Sequence, residues 1–598
     1  MCFMQSLLYS LPQQIDIPSA FKIFLLLCKV WNKKVIHIKG EKTIKMGKHN
    51  FCVIFNGIVY DQNSYYEFIK NNSIDSIAAS RTAVLMKRSP ELLFAIYALH
   101  NRGITYVPVD PAYPEERIND IIFSSNATDI INDTDLEIAF DKPKLDINKE
   151  NNIVYVLYTS GSTGIPKGVE VTLDGFNNFV EGISEIIDFS PGKRIVCFTT
   201  VSFDIFFLES IMALQKGLTV VLANEDEQRN PKLMAKLIKN NDVDMIQMTP
   251  SRMQLLLNHD KELSCLQNVK EIMIGGEPFP LRLLKTLQEK TTSKIYNMYG
   301  PTETTIWSTV SNLTEKNQID IGYPIKNTEI YIVDENLYML SNGQAGEICI
   351  AGKGLAKGYV GRDDLTSEKF IFLPQNPDIK VYRTGDMGRY LPDGNLEYLG
   401  RTDNQVKIRG HRIELEEIET HMNQYNGIKQ SVVVALEISE TDKILDAFFT
   451  SESNVDSKDI TDYLSSKLPD YMIPVRFRRV EEFIQTVNGK IDRKRVLECI
   501  EIKSKEIASD TSIYDGLPVV QKRAFDIIIS NLKEKKKMEE ISLDMDFNSI
   551  VLDSITFIEI VVAFECEFNF EFDDEMLLIT KFPTIKSMVE YVEAKASE

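Results

Sequence analysis

From Cys52 onward, short apolar runs alternate with amphipathic stretches. The runs Ile153–Tyr158, Arg194–Thr199, Thr219–Ala223, Met245–Met248, Glu271–Ile274 and Lys294–Met298 predict buried strands. Between them, Asp174–Ile187, Asn230–Asn240 and Leu281–Glu289 carry apolar residues at helical spacing and predict helices. Strand–helix alternation of this kind specifies an α/β unit with largely parallel sheets. It is expected to span residues 46–402, after a lead-in segment, 1–45, with few recognisable signals. Near Gly400–Arg412 the pattern changes to a basic, glycine-containing stretch, followed by a helix and two or three strands to about Leu497. That predicts a smaller α+β unit over 403–498. Residues 499–516 are polar, contain Asp515-Gly516 and read as a linker. Residues 517–598 read as all-helical.

Composition narrows the function classes. The chain has 598 residues, 43% hydrophobic and 26% charged, which is ordinary for a soluble globular protein. A net charge of −20 argues against a general nucleic-acid binder, because phosphate backbones attract basic surfaces. The eight cysteines are scattered, with no CxxC pair and no Cys/His cluster, which fits reduced thiols in a cytoplasmic protein. The apolar run Ile23–Cys28 is far short of the ~20 residues a bilayer requires, and no small-residue cleavage site follows it. No signal peptide and no membrane partner are expected.

The sharpest chemical signal is Tyr158–Val169, YTSGSTGIPKGV, directly after an apolar run. Thr159, Ser160, Ser162 and Thr163 supply hydroxyls. Gly161, Gly164 and Gly168 let the backbone turn and approach an anion closely. Backbone N–H groups in such a loop form an anion nest, and Lys167 adds positive charge. The spacing does not match a Walker A loop. A Ser/Thr/Gly-rich surface turn is the plainer alternative. The density of hydroxyls and glycines after a buried strand favours phosphate binding.

YTSGSTGIPKGV resembles the phosphate-binding signature of the adenylate-forming superfamily, which includes acyl-CoA synthetases, luciferases and the adenylation domains of nonribosomal peptide synthetases. Further motifs follow in the family's order over roughly residues 50–498: YVPVDPAYPEERI from Tyr106, FDIFFLES from Phe203, NMYGPTETT from Asn297, GEICIAGKGLAKGY from Gly346, YRTGD from Tyr382, GRTDNQVKIRGHRIELEEIE from Gly400, LPDYMIP from Leu468 and NGKIDR from Asn488. The resemblance implies an adenylate-forming fold with a large α/β N-terminal subdomain and a small mobile α+β C-terminal subdomain.

The same resemblance implies roles. A substrate carboxylate attacks the α-phosphate of ATP, pyrophosphate leaves and an acyl-adenylate forms. Charge developing on phosphorus must then be neutralised by fixed cations and donors. Glu303 would be the magnesium carboxylate and Thr302 a donor to the α-phosphate, with Tyr299 stacking on adenine and Asn297 bonding its edge. Asp386 resembles the ribose clamp, Arg401 a second ribose contact, Lys490 the mobile lysine that meets the substrate carboxylate, and Asp403 the hinge. Taken singly, Asp386 could cap a turn, Glu303 could belong to a capping box and Lys490 could be a solvated lysine.

Asp204 in FDIFFLES separates amino acids from plain carboxylic acids, since peptide-synthetase adenylation domains keep an aspartate there to pair with the α-ammonium. Its plainer alternative is a helix N-cap before Ile205. The remaining pocket positions carry over as Ile205, Leu208, Gln247, Met273, Gly275, Met298, Ile306, Trp307 and Lys490. Trp307, Met298 and Met273 crowd such a pocket, and the string resembles that of glycine-activating domains. Glycine is the expected substrate, with alanine next.

In the last segment, Asp553-Ser554 precedes Ile555, Ile558, Val561 and Val562 at helical spacing. Ser554 resembles the 4′-phosphopantetheine attachment serine of peptidyl and acyl carrier domains, which are helical bundles. It departs from the peptide-synthetase pattern in carrying Ile550-Val551-Leu552 where a Gly-Gly pair is usual, and LDSI is closer to an acyl-carrier signature. A helix-capping serine is the alternative. With no HHxxxD pattern and no G-x-S-x-G elbow, the segments read as an activation and carrier pair. Its expected partners are a phosphopantetheinyl transferase and a downstream condensation or acyl-accepting enzyme in trans. The rival readings are an acyl-CoA ligase with a carrier-like tail and a non-catalytic protein that retains the fold. Asp204 and intact Lys167, Glu303, Asp386 and Lys490 count against them.

Overall fold

The structure is a computed structural model. It describes residues 51–133 and 152–483, apart from 73, 75–76, 78, 162–163, 438–442 and 452–454. It also describes 493, 495–496, 519–536, 543–545 and scattered positions from 557 to 596. The lead-in, the linker, Lys490 and Ser554 therefore lie outside the described residues.

The six strands expected from apolar runs all form, each within two residues of its expected end. Five of them, Arg194–Cys197, Thr219–Leu222, Met245–Met248, Glu271–Gly275 and Lys294–Tyr299, join Cys52–Phe55 in the parallel centre of a nine-stranded sheet. Antiparallel strands close both edges. The sixth, Ile153–Thr159, belongs to a second sheet with Arg81–Leu85 and Thr105–Val109. Helices start where local chemistry allows. Asn230 and Thr249 accept backbone N–H bonds at the N-termini of Pro231–Asn240 and Pro250–His259. The proline at the first position of each has no N–H to leave unsatisfied. Tyr155 of the second sheet stacks on Phe207 at 4.4 Å, in a buried core that also holds Tyr106 and Phe176.

A third sheet, with strands Thr328–Val333, Gly346–Gly352, Phe370–Leu373, Asn376–Tyr390 and Leu396–Arg401, is antiparallel throughout. Strands Gly346–Gly352 and Phe370–Leu373 are connected through the short helix Asp363–Lys369 and flank Asn376–Tyr390, each antiparallel to it. The smaller unit begins with a hairpin, Val406–Ile408 with His411–Ile413, before the expected helix, here Leu415–Gln424. Strands Ile428–Glu437, Lys443–Ser451 and Arg476–Arg479 follow.

In the C-terminal segment, helices Val519–Lys536 and Ile585–Ala596 share an apolar cluster with Phe557, Ile560, Val561 and Phe564. Among the described residues no helix is long and apolar enough to cross a membrane.

Candidate active site

Four loops that leave strand ends converge on one cleft. They follow Thr159, Cys197, Gly275 and Tyr299, at the carboxyl ends where α/β sheets bind ligands. The cleft is lined by Thr159, Ser160, Asp204, Ile205, Thr302, Trp307, Asp386 and Arg401, all singled out in the sequence.

Asp204 is buried, its backbone is helical (φ −63°, ψ −30°) and its side chain makes no capping bond, so the N-cap alternative fails. Burial pushes its pKa up to about 6, against the Thr302 hydroxyl and the Ile205 N–H, which hold it down. Trp307 is buried, and its indole Nε1 has no hydrogen-bond partner among the described residues. Leu208, Gln247, Met273, Met298 and Ile306 are buried around this part of the fold but do not line the cleft itself. The Gln247 amide has no partner on either atom among the described residues. Gly275 sits flush with its neighbours: a Cβ there would lie 2.6 Å from the Met298 carbonyl oxygen and 2.8 Å from Cη2 of Trp307.

Glu303 lies in a 3-10 turn, Thr302–Thr304, with no side-chain cap, so the capping-box alternative also fails. Burial would raise its pKa, but Arg412, then Lys167 and the Tyr359 hydroxyl, bring it down to about 2. Tyr299 donates its hydroxyl to Asp386 at 2.7 Å, and Arg401 donates to the other Asp386 oxygen at 2.6 Å. Arg401 also grips Asp403, at 2.7 and 2.8 Å, joining the ribose-clamp candidates to the hinge candidate. Asn297 donates its amide to the Asp320 carbonyl at 2.8 Å and does not line the cleft.

In the phosphate loop, Gly164 adopts φ +82°, a conformation that favours glycine. The buried Lys167 has its pKa lowered, by burial first and by Arg412 next. Ser162 and Thr163 lie outside the described residues.

The smaller unit supplies a set of groups that have no role in the expected site. Lys407, Gly410, Arg412 and Tyr471 complete the cleft wall. Arg412 donates to both oxygens of Glu303, at 3.0 and 2.8 Å. Glu414 pairs with Lys167 at 3.2 Å. Glu417 accepts the Gly161 N–H at 2.9 Å and pairs with Arg117 at 2.8 Å. Both Arg412 and Glu417 lie in a motif quoted from the sequence, but the Arg117–Glu417 bond spans 300 residues, and no local pattern announces it.

The cleft thus joins a glycine- and hydroxyl-rich loop to the buried carboxylates of Asp204 and Asp386, with the buried Glu303 next to its lining residue Thr302. The AMP-binding enzyme profile matches residues 78–360, and the phosphopantetheine attachment site profile matches residues 526–592. Gramicidin S synthase 1 from Brevibacillus brevis is 32% identical over 592 residues, 94% of this chain and 52% of the relative. The chain spans about half of that synthase and 11 to 18% of three longer ones. A holo NRPS protein containing adenylation and PCP domains, bound to a vinylsulfonamide inhibitor, superposes with a TM-score of 0.73 at 22% identity. That match covers 92% of this chain and 94% of the other, and speaks for the fold. A four-domain nonribosomal peptide synthetase bound to AMP and glycine is 28% identical with a TM-score of 0.55, covering 92% of this chain and 42% of the other. The chain belongs to the AMP-binding enzymes, as a nonribosomal peptide synthetase-type adenylation domain fused to a C-terminal phosphopantetheine carrier domain.

Proposed function

We propose that the chain activates glycine with ATP to glycyl-AMP and passes it, as a thioester, to an arm on its own Ser554. The observation that carries the amino-acid reading is Asp204. A buried carboxylate facing a cleft is costly unless a cation meets it, and an α-ammonium is such a cation. Glycine in particular is supported by the bulk of Trp307, which lines the cleft and packs directly on Gly275, so the indole cannot retreat in that direction to admit a larger side chain. The AMP- and glycine-bound synthetase at 28% identity is consistent with that choice.

On this reading, Asp386, held by Tyr299 and Arg401, accepts from the ribose hydroxyls. Gly161 N–H, Ser160 and Lys167, here engaged by Glu417, the Arg412 carbonyl and Glu414, receive the phosphates once the smaller unit withdraws those groups, and Thr302 donates to the α-phosphate. Lys490 offsets the repulsion between the substrate carboxylate and the phosphate it attacks. Glu303 would hold a magnesium ion in an arrangement that frees its oxygens from Arg412, which occupies both here, and the ion would supply positive charge beside the substrate phosphates. A 4′-phosphopantetheine arm on Ser554 supplies the accepting thiol. It requires a phosphopantetheinyl transferase to install it and an acyl-accepting enzyme to take the product.

The test is ATP–pyrophosphate exchange across the common amino acids, followed by mass analysis of the holo protein for a glycyl adduct. Glycine-dependent exchange and a carrier adduct are expected. Exchange driven best by a larger amino acid would overturn glycine alone.

A further inference from the structure

Two β-branched residues in succession, Thr305 and Ile306, have left-handed backbones, with φ +68° and +66°. Such residues rarely adopt this region, and each costs on the order of 1–3 kcal/mol unless its surroundings hold it. The pair immediately precedes Trp307, so its conformation aims the indole.

Three contacts hold the turn. Thr305 Oγ1 donates to the Gly354 carbonyl at 2.7 Å, in a buried setting. Thr304 and Ser308 share a hydroxyl bond of 2.6 Å across the strained pair. Ala356 N–H donates to the Glu303 carbonyl at 2.8 Å. The backbone is packed just as closely. A Cβ on Gly300 would lie 2.7 Å from the Ile306 carbonyl oxygen and 2.8 Å from the Trp307 Cα, and one on Gly354 would lie 2.9 Å from the Thr304 carbonyl oxygen. Gly354 and Ala356 belong to GEICIAGKGLAKGY, a motif that so far has entered the site only through its last residue, Tyr359.

We propose that Thr305 is a specificity-determining positioning residue. Its hydroxyl anchors the strained turn to Gly354 and so fixes the depth at which Trp307 closes the substrate pocket. Thr305 touches no substrate and acts through the indole. This rests on the reading of the pocket as an amino-acid site.

Thr305→Val keeps shape and β-branching but cannot donate, and it leaves the Gly354 carbonyl unpaired. The expected result in ATP–pyrophosphate exchange is a raised KM for glycine with kcat nearly kept. The preference for glycine over alanine, of the order of 10–200-fold for one methyl group, should fall about tenfold. Thr305→Ser should restore most of it. Sequence positions 31 and 307 hold both tryptophans, so in a Trp31→Phe background the emission of Trp307 reports its own burial. It should shift to the red in Thr305→Val and not in Thr305→Ser. If Thr305→Val does not fold, Thr305→Ala takes its place in both measurements. Unchanged selectivity with unchanged emission overturns the proposal, and so does an equal loss of kcat on every amino acid. Absence of amino-acid-dependent exchange in the unmutated protein would instead overturn the reading of the pocket.

Discussion

Trp307 and Gly275 face each other across a gap too small for one carbon: a Cβ on Gly275 would stand 2.8 Å from Cη2 of the indole. It would also meet the Met298 carbonyl at 2.6 Å, and backbone cannot yield as a side-chain tip can. Gly275→Ala should therefore abolish glycine-dependent exchange, or reduce it at least tenfold, while the protein still binds ATP. Trp307→Ala should do the reverse for larger substrates. Alanine and serine should gain on glycine, within the ~1–3 kcal/mol that one methyl group allows. Exchange rates across the amino acids measure both.

Asp204 sets a pH limb. Its pKa in the empty pocket is raised to about 6, so it is ionised above that pH and neutral below. A neutral carboxyl cannot pair with the ammonium, and kcat/KM reports groups on the free enzyme. kcat/KM for the amino acid should rise with pH through about 6 and then level. In Asp204→Asn the limb should vanish along with most of the activity. The linkage to stability has the opposite sense. A carboxyl raised above its ordinary 3.8 contributes most to folding at low pH, and that contribution is lost as pH rises through about 6. Thermal melts of the ligand-free protein check this.

Arg117 and Glu417 form a buried pair between the two adenylation subdomains. Removing one partner of a buried pair leaves an uncompensated charge, costing ~3–5 kcal/mol in the arrangement that contains it. Arg117→Met should disfavour this arrangement, in which Arg412, Glu414 and Glu417 already engage Glu303, Lys167 and the Gly161 N–H. If this is the arrangement for thioester transfer, loading should fall at least tenfold while exchange changes only a few-fold. A pulse with labelled amino acid, run beside the exchange assay, separates the two.

Ser554→Ala should eliminate covalent loading and leave exchange intact, whereas Lys490→Ala should suppress exchange itself. Loading that persists in Ser554→Ala would place the arm elsewhere.

Much of this was legible from local pattern. Met245–Met248 forms as expected, because a short apolar run between polar stretches has few other uses. Asp204 and Asp386 stand in contiguous motifs that end on the cleft lining, and Glu303 is buried next to Thr302 of the same lining. What escaped was non-local. Arg412 meets Glu303 across 109 residues, and nothing near either charge indicates the other. The antiparallel third sheet drew no strand expectation because its longest strand, Asn376–Tyr390, mixes polar and apolar residues instead of forming a short apolar run. Asn297, which the motif ties to adenine, sits in the nine-stranded sheet and donates its amide to the Asp320 carbonyl, a contact no local pattern announces.

The most direct measurement is the exchange of labelled pyrophosphate into ATP by the purified chain, with magnesium and each amino acid in turn. The account predicts exchange that requires an amino acid, with glycine giving the highest kcat/KM. Exchange that is independent of any amino acid, or absent with all of them, would contradict it.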